Sequence, residues 1–247
     1  MLFLLEKYWY YENNNTGRHL YLCKRTNRLS DILSIREVIA SLIYKMQNTI
    51  DFCDYQYVYD HHKEIAGCCC RAFTSENREL VTAYDLLEEY GLTQQDDVYE
   101  IIIENAVRYG MDHDAVRQYM DIQTMIDYLI TNRDRHQGNI GFLRDPETLQ
   151  IVSAAPVFDS GSSKEMEFEK PLSVDHTTVN GLYNTETECL FHVKMVDLID
   201  CDKLLSKEQI YSEVARSTSL SIDRKKQISS LYAEKVDFLK KLQKQNR

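Results

Sequence analysis

Proline and glycine are scarce in this chain of 247 residues, with three of the first and eight of the second. That excludes a Pro/Gly-rich linker, and no repeat or low-complexity segment is present, so any lobes must share a close hinge. Positive charge is also in deficit: 29 Lys and Arg face 39 Asp and Glu, a net charge of −10. A nucleic-acid surface needs clustered cations, so direct nucleic-acid binding is not expected. The one dense basic run, Lys235 to Arg247, is interleaved with Asp237, Phe238, Leu239 and Leu242, and reads as the solvated face of a terminal helix. Long apolar runs are missing as well. Met1 to Leu5 is cut short by Glu6 and Lys7, too early for a signal segment or a membrane span, so a cytoplasmic protein without membrane contact is expected. Seven cysteines show neither a disulfide framework nor C-x-x-C zinc spacing. Three are adjacent, Cys68 to Cys70, and in a strand they would alternate faces as small, reduced residues. What is present is 43% hydrophobic residues, enough for a packed core.

Residues 1–11 and 18–24 read as two strands around the turn-rich Asn13 to Gly17. Ile35, Val38, Ile39, Leu42, Ile43 and Met46 recur at helical spacing, with Ser30 or Ser34 available as a cap. Short strands are expected at Tyr55–Tyr59 and Cys68–Phe73, then mostly helix. Ile122, Met125, Ile126, Leu129 and Ile130 form one face of a helix that stops at Thr131-Asn132. Beyond it, Ile140 to Leu143 and Leu149 to Phe158 flank a turn at Asp145-Pro146-Glu147 and read as a β-hairpin. From Leu190 the pattern is amphipathic. Ser206-x-x-Gln209 resembles a capping box, and Ile228, Leu231, Tyr232, Phe238, Leu239 and Leu242 make a stripe read as scaffold rather than a partner-binding face.

The chemistry concentrates in Thr131 to Asn139 and in Phe158 to Gly161. Asp134 and Asn139, five residues apart, and Asp159, twenty residues beyond Asn139, are what phosphoryl transfer requires. One carboxylate orients the attacking hydroxyl, and two hard oxygen donors hold magnesium. The hairpin explains how the pieces meet, since its two arms return to nearly the same place. A rival reading makes Asp134, His136 and Asp159 ligands of a hydrolytic metal, but it leaves Asn139 without a role.

The run Asp134 to Arg144, then Glu147 to Leu149, then Ala155 to Ser163, with Glu37 to Ser41 upstream, resembles the HipA-like serine/threonine kinase family. D-R-H-x-x-N also occurs in phosphoinositide kinases of the same broad fold. The aminoglycoside phosphotransferase pattern has His two residues before the catalytic Asp, where Asn132 stands here. The resemblance implies an α+β, protein-kinase-like bilobal fold, with a reduced β-rich N-lobe over residues 1–73 and a mostly helical C-lobe over 74–247. It implies ATP and Mg²⁺ as cofactors and a protein substrate, with Asp134 as the hydroxyl-orienting base and Asn139 and Asp159 as metal ligands. His136 would tie the loop together rather than shuttle protons. Arg135 would either contact phosphate or brace the Asp159 segment. Lys24 would be the ATP-phosphate lysine and Glu37 its ion-pair partner. Two points stay open: a slip of one residue would put Arg25 in the cleft, and Glu37 lies about 190° from its helix's apolar face, toward either cleft or solvent. Phe73, within the expected hinge Arg71–Thr74, is either an adenine-packing residue or an ordinary core Phe.

One departure from the family stands out. The 23 residues before Lys24 contain a single glycine, Gly17, and no phosphate-cradling loop. A truncated product, a split kinase completed by another N-terminal subunit, and a degenerate nucleotide-binding pseudokinase all fit that feature. The expected activity is that of a protein Ser/Thr kinase of a bacterial toxin–antitoxin type, with a small antitoxin as a candidate partner. The alternative is an interaction module that binds nucleotide without turning it over.

Overall fold

The computed structural model describes residues 6–14, 17–26, 30–88, 96–161 and 179–246. The expected strand residues 1–5, the turn residues Asn15 and Thr16, and Ser162 and Ser163 of the motif lie outside them. The chain opens with β1 (Glu6–Asn14) and β2 (Gly17–Arg25), paired antiparallel with Lys7 opposite Lys24 and Asn14 opposite Gly17. Asn13 and Asn14 are therefore strand, not turn. Next comes α1 (Asp31–Gln47), with Ser30 at its N-cap, followed by β3 (Gln56–Tyr59) and β4 (Ile65–Arg71). These four strands form one sheet in the order β1-β2-β4-β3. Cys68 and Cys70 are buried while Cys69 is partly exposed, the alternation a strand imposes.

α1 is buried on more than one face, which explains its uniform sequence pattern. Ile32, Ile35, Ile39 and Ile43 enter the main core, while Val38 packs with Cys53, Tyr55, Cys68 and Cys70 beneath the sheet. Ser41 fastens the second face: its hydroxyl donates to the Cys53 carbonyl (2.9 Å) and accepts from the Tyr55 amide (3.0 Å).

A strand the sequence did not reveal follows. β5 (Glu79–Thr82) pairs with β6 (Gly141–Arg144), and β6 with β7 (Ile151–Ala154), as a second, three-stranded sheet. Only four residues long, Glu-Leu-Val-Thr runs directly into α2 (Ala83–Leu87), so its alternation is too brief to stand apart from helical periodicity. Thr82 ends the strand and starts the helix through a capping box with Asp85. The helical body comprises α3 (Val98–Arg108), α4 (His113–Ile130), α5 (Glu186–Phe191), α6 (Lys207–Ala215) and α7 (Ile222–Gln245). The Ser206–Gln209 capping box is present on α6.

The stripe on α7 packs into the core through Leu231, Tyr232 and Leu239. The basic run is not a solvated face at its first position. Lys235 is fully buried, and its ammonium donates to the Tyr128 carbonyl (2.7 Å), Thr131 Oγ1 (2.9 Å) and Glu186 Oε2 (2.7 Å). It lies in the same helical row as Leu231 and Leu239, and only a carboxylate partner makes that burial tolerable. The bond network ties α7 and α5 to the C-terminus of α4, where the motif loop begins. Among the described residues, no helix is long and apolar enough to cross a membrane.

Candidate active site

The loop after α4 is held from behind. Thr131 ends the helix in the left-handed region (φ 57°), and the Asn132 carboxamide donates to Asp127 Oδ1 (2.8 Å) and accepts from the Asp134 amide (3.2 Å). Arg135 turns inward rather than toward the cleft. Its guanidinium forks onto Asp127 (2.7 and 3.0 Å) and also donates to the carbonyls of Asn139 (2.7 Å) and Phe158 (2.6 Å) and to Ser160 Oγ (3.1 Å). Of the two roles open to it, the brace is the one the geometry shows: one buried cation pins both ends of the β6–β7 hairpin to α4. Burial works to discharge it, but the Asp127 carboxylate prevails and keeps it firmly protonated. All its partners among the described residues are groups of the fold: Asp127, two backbone carbonyls and Ser160. His136 is also local. Its Nδ1 accepts from the Gly138 amide (3.1 Å), closing the tight turn over Gln137–Asn139.

That turn brings Asn139 back beneath Asp134, whose carbonyl accepts from Asn139 Nδ2 (2.9 Å). The Asp134 carboxylate is half-buried, and its Oδ1 accepts from Asn180 Nδ2 (2.7 Å). Asn180 also donates its amide to the Arg133 carbonyl (2.7 Å), so two bonds fix it over the loop. No spacing rule pointed to Asn180, 46 residues downstream.

Across the cleft, Lys24 and not Arg25 faces inward. Lys24 is 2% exposed, and its ammonium bonds Glu37 Oε1 and Asp159 Oδ1 (2.6 Å) and lies 4.9 Å from the centre of the Tyr55 ring. Glu37 is equally buried, so its position opposite the apolar face points to the cleft, not to water. Its second oxygen accepts from the Ser160 amide (2.9 Å). This carboxylate thus links the lysine of the first sheet to the segment that leaves the hairpin. Gly161 permits the approach: a Cβ there would sit 2.7 Å from the Leu33 carbonyl and 3.0 Å from Glu37 Cγ. Gly67 does the same for Lys24, where a Cβ would meet the lysine's carbonyl at 2.3 Å.

Asp159 occupies the left-handed region at φ 54°, which Asp tolerates better than most residues. Burial alone would raise its pKa, but Lys24 and then Lys7, 3.4 Å from Oδ2, outweigh that and lower it to about 2. Lys24 is driven the opposite way: burial favours loss of its proton, and Glu37 and Asp159 reverse this and hold it charged.

Lys7, Trp9, Leu22, Lys24, Phe73, Asn139, Phe158 and Asp159 face a shared cleft of about 370 Å³, large enough for a cofactor. Phe73 is half-buried and stacks on Phe158, ring centres 5.8 Å apart, following β4 where the chain passes toward the second sheet. The oxygen donors are one carboxylate and one carboxamide, and no cluster of three or more His, Cys, Asp or Glu forms a metal cage among the described residues. Such a sparse, hard set suits Mg²⁺ carried in with phosphates rather than a metal held by protein alone. The sequence also missed Asp127, the anchor of Arg135, although a carboxylate inside the apolar run Met125 to Leu129 was its signal.

No protein-family model matches the chain, and no curated protein matches it. Among solved structures, a Helicobacter pylori proinflammatory kinase, CtkA, aligns over 95% of this chain and 89% of its own, at 18% identity and a TM-score of 0.62. The HipA of a Shewanella oneidensis toxin–antitoxin complex with HipB and operator DNA aligns over 94% of this chain and 57% of its own, at 13% identity and a TM-score of 0.49. With its small β-sheet region followed by a mostly helical one, the chain has a protein-kinase-like fold, shared along nearly its whole length with the Helicobacter pylori kinase.

Proposed function

We propose that this chain is an ATP- and Mg²⁺-dependent protein kinase that transfers the γ-phosphate to a Ser or Thr hydroxyl. The observation that carries the reading is the buried Lys24–Glu37 pair meeting Asp159 in a cleft that Asn139 also lines. In this reading residues 1–73 form the N-lobe and 74–247 the C-lobe. Phe73, backed by Phe158, offers an apolar wall to the base, and Lys24 would neutralise phosphate oxygens. Asn139 and Asp159 would hold Mg²⁺, which supplies charge neutralisation across the nucleotide phosphates. Asp134, held by Asn180, orients the acceptor hydroxyl and takes its proton as the oxygen attacks phosphorus. The bond from phosphorus to the bridging oxygen breaks, and that oxygen leaves with ADP.

The test uses the whole chain with Mg·ATP labelled at the γ-phosphate, alone and with a cell extract. Label is expected on protein Ser or Thr, and Asp134→Asn should abolish transfer while binding ATP as well as wild type. If both proteins bind ATP and neither labels anything, the chain is a nucleotide-binding pseudokinase or interaction module, with a small antitoxin as its natural partner class. Absence of ATP binding by the wild-type chain would remove the site assignment.

A further inference from the structure

The first sheet roofs the cleft with two cross-strand pairs. Lys7 faces Lys24 and Trp9 faces Leu22, and all four side chains line the same cavity. Neighbours on one strand face are about 7 Å apart, so the roof has an apolar section beside a cationic one. The cationic section is unusual. Two ammonium groups share a single carboxylate, Lys24 on Asp159 Oδ1 (2.6 Å) and Lys7 on Oδ2 (3.4 Å). They differ in how firmly they are held, because Lys24 is buried and also bonded to Glu37, whereas the Lys7 side chain is 48% exposed and, among the described residues, pairs with Asp159 alone.

Two ammonium groups on Asp159 repel an incoming cation, and the contact most easily given up to a ligand that brings one is the longer and more exposed of the two, Lys7. The released ammonium stays on a strand above the cleft, where the incoming anion is a polyphosphate. Gly17, the single glycine between Met1 and Lys24, sits at the far end of the hairpin opposite Asn14, away from Asp159.

Building on the kinase reading, we propose that Lys7 is a second phosphate-binding residue. With Lys24 it forms a two-lysine clamp on the β- and γ-phosphates of a nucleoside triphosphate, engaging them through side-chain charge. Unliganded, Lys7 caps the metal-binding carboxylate; on binding, it transfers to phosphate.

The experiment compares wild type, Lys7→Met and Lys7→Arg by calorimetry with Mg·ATP and with adenosine, after urea unfolding has shown that all three are folded. Loss of one exposed charge-assisted contact should weaken Mg·ATP binding by roughly tenfold in Lys7→Met, leave adenosine binding unchanged, and be largely rescued in Lys7→Arg. If Lys7 is only a cap on Asp159, its removal frees the metal ligand, so Lys7→Met would bind Mg·ATP as tightly as wild type or more tightly. Either result overturns the clamp while leaving the kinase reading intact. Equal losses for ATP and adenosine would also overturn it, since they would mean damage to the cleft as a whole. A wild-type chain that binds adenosine but not Mg·ATP, or neither, would remove the kinase site and the clamp together.

Discussion

Asp159 gives the sharpest quantitative test of the site, because its depressed acidity must appear in the pH dependence of folding. Its pKa falls from 3.8 to about 2 when the chain folds, driven by Lys24 and Lys7 against the opposing effect of burial. At 1.36 kcal/mol per tenfold change, that difference is worth about 2.5 kcal/mol when the carboxyl is fully ionised. The folded carboxyl is the stronger acid, so the unfolded chain takes up this proton first as pH falls. The contribution is therefore complete above about pH 5, and is lost as pH drops through 4 toward 2. By pH 3 roughly 1.1 kcal/mol of it should be gone. Many carboxylates titrate in that range, so the measurement is a difference: urea unfolding of wild type and Asp159→Asn at several pH values from 7 to 3, with chelator present to exclude metal. The gap between the two proteins should narrow by about 1 kcal/mol over that interval. The narrowing, rather than the gap at pH 7, carries the test, because asparagine differs from a protonated carboxyl in its hydrogen bonding. A gap that stays constant, or widens as pH falls, would show that Asp159 does not sit between two lysines as described.

Arg135→Met strips a buried carboxylate of its partner and leaves two carbonyls unmet, so it should cost about 3–5 kcal/mol in urea unfolding; the double variant with Asp127→Asn should recover part of that loss. Lys235→Met should likewise destabilise by roughly 3 kcal/mol, and adding Glu186→Gln should restore stability, because the buried Glu186 charge is then gone. Under the proposed kinase reading, Asn180→Ala should lower kcat roughly tenfold with little change in the KM for ATP, since Asn180 touches Asp134 and does not line the cleft with Lys24 and Asp159. Gly161→Ala should weaken nucleotide binding and stability together by forcing the Asp159 segment away from α1, at a cost of about 1–3 kcal/mol seen in parallel unfolding and binding measurements.

How far the fold could be read depended on how much chain each element had to declare itself. α1 and α4 each run for more than four turns with apolar residues recurring at helical spacing, and both were legible, as was the hairpin that carries the motif. β5 was not, because four residues that run straight into a capped helix leave no period to detect. Lys235 was misread for a different reason. Its basic neighbours suggested a wet face, yet it lies four residues after Leu231 and four before Leu239, the spacing of the buried stripe. Position was the better guide than charge there, and the carboxylate that makes the burial possible lies 49 residues away.

The candidate site divides along the same line between local and distant information. Asp134, Asn139 and Asp159 could be proposed because their spacing around one loop and one hairpin is a local property. The direction of Arg135 could not, since it depends on a carboxylate of the preceding helix and on carbonyls at both ends of the hairpin. Glu37 was ambiguous because the rule that separates buried from exposed helix faces assumes that one side meets water, and α1 lies between a sheet and a helical body. Lys7 shows how small the missing information can be. A turn laid over Asn13 to Gly17 sets Lys7 opposite Cys23, whereas the observed hairpin sets it opposite Lys24. One residue of register moves every side chain of a strand to the other face, so that single step decides whether Lys7 is a surface lysine or stands over the carboxylate at the centre of the site.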